Sequence, residues 1–328
     1  MQKSNIEWTS QTWNPVTGCT KISPGCRNCY AANIAETRFG GQAAFPDGFE
    51  LTLHPERLAQ VTQHQQPKNI FVNSMSDMFH EGVSAEFLRS VCDVMMTATQ
   101  HRYQILTKRH QRMKEILTST GFQDVAQARH IWWGVSLEDR KYGLPRITTL
   151  IDTPVRNRFV SFEPLLEDLG DVSLCGLDWI IIGGESGPGA RPFALDWADS
   201  LIRQARRDQV AVFMKQIGAK PMLGGQPFRK ASRDPKGHQM AAWPEHLRIR
   251  EMPRGMYGAH GTQHLVQIES IKKSESPIDV PVVALQQTLD WLHDRATDRN
   301  EPAKRALALS ALVAIEGLIP GTGKGGAA

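Results

Sequence analysis

The chain has 328 residues, is 41% hydrophobic and 22% charged, and carries a formal net charge of +4. Those values fit a soluble globular protein of one large domain, with or without a small appendage. No run of about 18 apolar residues is present, which excludes a membrane-spanning helix and predicts no membrane partner. The N-terminus is polar and lacks an apolar signal region, so the expected location is the cytoplasm, with reduced thiols.

The first informative stretch is Gly18-Cys19-Thr-Lys-Ile-Ser-Pro-Gly-Cys26-Arg-Asn-Cys29-Tyr30. It concentrates three of the five cysteines within eleven residues. Clustered thiolates in a cysteine-poor chain point to metal ligation. A closed structural zinc site or a closed iron–sulfur cluster takes four protein ligands, whereas three leave one coordination position open for chemistry. From spacing alone the reading stays open between an iron–sulfur cluster, zinc and no metal. Cys92 and Cys175 lie in apolar segments and are expected in the core.

From residue 51 to 217, short apolar runs alternate with amphipathic ones. The predicted strands are 69–73, 103–107, 131–136, 158–162, 179–183 and 210–215. The predicted helices are 85–98, 110–117, 141–151 and 195–207. Repeated strand–helix units imply a parallel sheet. No Gly-x-Gly-x-x-Gly follows a first strand, which favours a partial or full (β/α) barrel over a dinucleotide-binding sheet. The glycine-rich loop 183–189 contains Pro188, which suits a rigid turn better than a phosphate cradle.

Polar residues gather where these strands end: Asn73, Ser74, Ser76 and Asp77; Lys108; Ser136 and Glu138; Ser161 and Glu163; Glu185; Lys215. In a parallel barrel that end carries the active site. A strand end is also polar simply because it meets water. Trp132 and Trp133 are expected in the core. Residues 219–255, rich in Gly, Pro, Lys and Arg, read as an irregular extension that wraps the main domain, which spans 1–255. A linker over 256–279, a helical hairpin over 280–318 and a tail over 319–328 complete the expected organisation.

Three clustered cysteines at the start of a β/α chain resemble the radical S-adenosylmethionine (SAM) superfamily. The spacing here, Cys-x6-Cys-x2-Cys, is longer in its first gap than that superfamily's usual Cys-x3-Cys-x2-Cys. Several motifs look more specifically like a phage-associated three-cysteine family. They are Trp8-Thr9, Thr12-Trp13-Asn14-Pro15, Cys26-x-x-Cys29-Tyr30-Ala31, the run 73–79, Leu106-Thr107-Lys108-Arg109, Trp133-Gly134-Val135-Ser136, Ser161-Phe162-Glu163-Pro164-Leu165 and Gly183-Gly184-Glu185-Ser186. Some of them also resemble the spore photoproduct lyase branch of radical enzymes. The likeness covers about residues 5–255.

The resemblance implies a radical SAM-type barrel in which Cys19, Cys26 and Cys29 hold a [4Fe-4S] cluster. SAM would bind its open iron, and reductive cleavage would release a 5′-deoxyadenosyl radical. It further implies that Asn73, Ser74, Ser76 and Asp77 help hold SAM, with Lys108 on its carboxylate. Ser136 and Glu138 are expected on the ribose hydroxyls of SAM or on the substrate, and Glu163, Glu185 and Lys108 are the candidate catalytic residues, the two glutamates lying where substrate would sit. An electron donor of flavodoxin or ferredoxin type is expected, and a nucleic acid or nucleotide as substrate. The specific expectation is an isomerase- or lyase-type modification of a pyrimidine substituent in phage DNA, in a host cytoplasm, that evades restriction. Repair of DNA photolesions and a zinc-bearing nucleic-acid-binding protein are the alternatives.

Overall fold

The computed structural model describes residues 1–41, 45, 47–229 and 234–256. The expected linker beyond Met256, the hairpin and the tail lie outside them.

An eight-stranded sheet organises the described chain. Its strands are β1 (Gln2–Lys3), β2 (Gln11–Trp13), β3 (Asn69–Val72), β4 (Arg102–Thr107), β5 (Ile131–Ser136), β6 (Asn157–Phe162), β7 (Trp179–Gly183) and β8 (Ala211–Gln216). They lie side by side in chain order. Only the β1–β2 pair is antiparallel, and β2 to β8 are parallel throughout. Sequential parallel order sets each strand beside the next, and the connecting helices pack into one cluster on one face of the sheet. Among the described residues no pairing joins β8 back to β1, and the mostly parallel eight-stranded sheet is what the expected partial or full barrel amounts to here.

Alternation along each strand separates two cores. Ile70, Val72, Ile131, Trp133, Val160, Ile180 and Val212 point one way, into the larger apolar cluster. There they meet helices α2 (Ala85–Thr97), α3 (His110–Thr118), α4 (Arg140–Asp152) and α5 (Leu195–Arg207) through Leu88, Val91, Met113, Leu117, Ile147, Leu150, Ala198 and Leu201. Their intervening neighbours Phe71, Trp132, Phe159, Trp179, Ile181 and Phe213 form a second cluster on the opposite, inner face. Both Trp132 and Trp133 are therefore core residues, on opposite sides of one strand. Each buried aromatic contributes on the order of 1.5–3 kcal/mol by leaving water.

The extension reaches the amino end of the sheet. Residues 249–251 run beside β8, with Met214 N–H donating to Ile249 O and Glu251 N–H to Val212 O. Met256 then enters the inner cluster with Trp8. Gln104 donates through Nε2 to both Trp8 O and Met256 Sδ. The amino-terminal half of the inner face is thus filled with aromatic and sulfur-bearing side chains. Two positions further along the same strands the inner face turns polar.

Cys92 is buried in α2, as expected. Cys175 is not: it is exposed. Residues 171–178 form turns rather than a strand, and Val172, Leu174 and Leu177 supply the buried contacts instead.

Candidate active site

The cysteine loop sits over the carboxyl ends of the strands, and each contact that holds it is specific. Gly18 adopts φ +82°, and a Cβ there would lie 2.0 Å from Glu50 O, so only glycine fits directly before Cys19. Gly18 N–H donates to Met75 O and Cys19 N–H to Phe49 O. Cys26 closes a short 3-10 turn, Pro24–Cys26, and Cys29 caps the start of α1 (Tyr30–Thr37). All three thiols are half-buried.

The loop touches the strand ends in turn. Tyr30 donates its hydroxyl to Ser74 O (2.5 Å), just past β3. Arg109, past β4, donates from Nη2 to Thr20 Oγ1 (2.7 Å) and O (3.3 Å), and from Nη1 to Cys19 Sγ (3.4 Å). Past β5, a Cβ on Gly25 would lie 3.0 Å from Glu138 Cδ. Past β7, Asn28 donates to Glu185 Oε2 (3.0 Å) and Gly189 O (3.1 Å), and Arg191 donates to Pro24 O (2.9 Å).

The sequence-predicted polar residues divide into two sets. The first consists of struts. Asp77 accepts from Phe79 N–H, Thr107 Oγ1, Lys108 N–H and Arg109 Nη1, at 2.6–3.2 Å. Glu138 is fully buried and pairs with the equally enclosed Arg146 (2.7 Å). Burial opposes its ionisation, but Lys108, Arg146 and Ser23 together hold its carboxyl below the ordinary value. Glu185 is treated similarly: burial works against the charge, and hydrogen bonds from Arg191 and Asn28 outweigh it. Ser76 donates to Val16 O (2.9 Å) and Ser74 to Asn14 Oδ1 (3.2 Å).

The second set forms a network along the inner rim. Lys108 Nζ donates to Ser136 Oγ (2.8 Å), which donates to Glu163 O (3.1 Å). Ser161 donates to Glu163 Oε2 (3.1 Å), while Lys215 Nζ lies 3.0 Å from Glu163 Oε1. Lys108, Glu163 and Lys215 are half-buried, so these charges reach solvent at the strand ends rather than lying in the core. Asn73 belongs with them: it is buried at φ +59°, its Oδ1 accepts from Val16 N–H, and its Nδ2 has no partner.

Burial is the main influence on Cys19, raising its thiol to about 11; Asp77 adds to this and Arg109 opposes it. The tyrosine after Cys29 is shifted upward too, through burial of its hydroxyl end and the nearby Cys29 and Glu163. Among the described residues, no group of three His, Cys, Asp or Glu side chains is gathered closely enough to hold a metal ion. Cys19, Cys26 and Cys29 therefore share one loop without forming a closed metal-ligand set. Neither buried Cys92 nor exposed Cys175 adds a fourth.

Sequence reasoning gave no role to Arg109, Arg146, Arg191, Asn28, Ser23 or Tyr30. For Arg109 and Tyr30 a signal existed: one directly follows Lys108 at a strand end, the other directly follows Cys29.

Comparison with known proteins adds a family. No curated protein matches the chain. A solved spore photoproduct lyase mutant is 10% identical, with TM-score 0.38 over 64% of this chain and 64% of that one. A second mutant of that enzyme, with bound AdoMet and dinucleoside spore photoproduct, is 12% identical, with TM-score 0.34 over 51% of this chain and 48% of that one. The matches thus span from about half to just under two thirds of those chains. A family model described as "Protein of unknown function (DUF5131)" matches residues 3–252, and the chain belongs to that family.

Proposed function

We propose that the chain is a radical SAM enzyme whose Cys19, Cys26 and Cys29 hold a [4Fe-4S] cluster. The observation that carries this reading is the placement of three half-buried thiols, on one loop, over the polar ends of a parallel sheet. A tetrahedral zinc site with Zn–S bonds of about 2.3 Å needs its sulfurs nearly in contact and a fourth ligand. Three cysteines on one loop with no fourth beside them are the donor set of a cluster that keeps one iron open.

The cluster and SAM together would supply a carbon radical by reductive cleavage of the sulfonium. The chain's own residues do the rest. The struts Asp77, Glu138 and Glu185 keep the loop at a fixed height above the rim, since their acceptor positions are occupied by internal donors. Asn73 offers its unpartnered amide N–H, and Lys108 its ammonium, to a carboxylate-bearing ligand. Ser74 and Ser136 each have a hydroxyl already engaged beside that position and would orient the ligand's hydroxyls. Glu163 faces the substrate, and Lys215 can exchange a proton with it across the 3.0 Å pair.

For the substrate we carry the pyrimidine substituent of a DNA base, as in genome modification by phages. The support is the net charge of +4 and the motif likeness to the phage-associated three-cysteine family. A duplex base would have to be extruded to reach the rim.

The test is anaerobic reconstitution followed by product analysis. The reading expects SAM cleavage by the reduced protein, and turnover of modified phage DNA or its nucleotides. Turnover only of irradiated DNA would replace modification by photolesion repair. Zinc in place of iron, with no SAM cleavage, would overturn the enzyme reading.

A further inference from the structure

Arg109 is the most heavily committed cation in the described structure. It stands at the N-terminal cap of α3, two residues past the end of β4, and its side chain is 4% exposed. Nε donates to both oxygens of Glu81 (3.0 and 2.9 Å). Nη1 is shared between Asp77 Oδ2 (3.2 Å) and Cys19 Sγ (3.4 Å). Nη2 donates to Thr20 O and Oγ1. Thr20 Oγ1 also meets His80 Nε2 (3.0 Å), which fixes the residue after Cys19 from a second side.

Two carboxylates aim the guanidinium so that one N–H points at sulfur. A lysine could satisfy Asp77 as a point charge, but it could not fork to Glu81, Thr20 and Cys19 at once.

We infer that Arg109 is a positioning residue that sets the reduction potential of the metal centre by donating a hydrogen bond to the Cys19 sulfur. This rests on the functional reading above. A positive donor on a ligating sulfur stabilises the reduced, more negatively charged state, and hydrogen bonds to sulfur are among the protein's levers on cluster potential.

The experiment compares wild type, Arg109→Lys and Arg109→Gln, each reconstituted anaerobically and titrated by electron paramagnetic resonance. Arg109→Lys keeps a cation beside Asp77. Arg109→Gln leaves Asp77 with three other donors, so neither variant strands a bare buried carboxylate. The expected result is a full cluster in all three. The reduction equilibrium is expected to shift at least tenfold toward the oxidised form in both variants, 59 mV for one electron. An unchanged potential in folded, cluster-loaded variants would overturn the inference and leave the functional reading intact. So would loss of the cluster from folded Arg109→Lys, since Arg109 would then be a strut for the loop alone. A wild type that binds no cluster would instead overturn the functional reading.

Discussion

Replacing Glu138 by glutamine removes one charge from an ion pair whose side chains are 0% and 3% exposed. Arg146 would remain buried and ionised, with Ser136 O (2.7 Å) and a single amide oxygen as acceptors. Stranding one member of such a pair costs about 3–5 kcal/mol. The retained amide oxygen puts Glu138→Gln near the lower figure, about 3 kcal/mol. For a domain of this size about 1 kcal/mol corresponds to roughly 2–4 °C, so the melting temperature should fall by about 6–12 °C.

The pH dependence is a sharper check. Glu138 is held below its ordinary value of 4.5 in the folded protein. A depressed carboxylate contributes stability that is complete above its unfolded pKa and is lost as pH falls through the folded one. The gap between wild type and variant should therefore be constant near neutrality and narrow progressively below about pH 5. Urea unfolding followed by circular dichroism at several pH values reads it. A gap under about 1 kcal/mol at pH 7, or one that keeps its full size well below pH 4, would refute the reasoning, because the charge would then not be what Arg146 recognises.

Serine at Cys19, Cys26 or Cys29 should each remove most of the iron, measured by metal analysis, whereas Cys92→Ala should leave it in place. In Gly183→Ala the new Cβ would lie 2.6 Å from Glu163 Oε1. That displaces the carboxylate from Lys215. The atom that must move is the end of a flexible side chain, so the expected result is little change in stability, with loss of turnover in a protein that still binds its cluster. Gly134→Ala drives a methyl to 2.4 Å from the Phe159 ring. It should destabilise by about 1–3 kcal/mol in thermal denaturation, because that ring is packed against Trp179 on the inner face.

The parallel framework was readable because its strands are unbroken apolar runs. Ile131–Ser136 and Trp179–Gly183 match their predicted limits, and α5 matches over Leu195–Arg207. The two strands at the other edge were not readable. β2 is Gln-Thr-Trp, too short and too polar to stand out, and it is a strand because β3 lies beside it. Likewise α1, Tyr-Ala-Ala-Asn-Ile-Ala-Glu-Thr, buries only alanines.

For the site, sequence located the polar rim but not the division of labour within it. Asp77 and Glu138 were expected at a cofactor and Glu185 at substrate, and their internal partners were not legible in the sequence. Arg191 is six residues from Glu185 and Arg146 is eight from Glu138. Arg146 lies on the buried side of a helix, where periodicity alone predicts an apolar residue. The likeness that named the three cysteines carried no information about what holds them, and the Arg109–Cys19 contact spans 90 positions of the chain.

The central claim is that the three thiols hold a cluster with an open iron. Anaerobic iron and sulfide analysis, with electron paramagnetic resonance after dithionite reduction with and without SAM, tests it most directly. The account predicts about four irons and four sulfides per chain, and a reduced signal that changes when SAM is added. One zinc per chain, or a reduced signal indifferent to SAM, would contradict it.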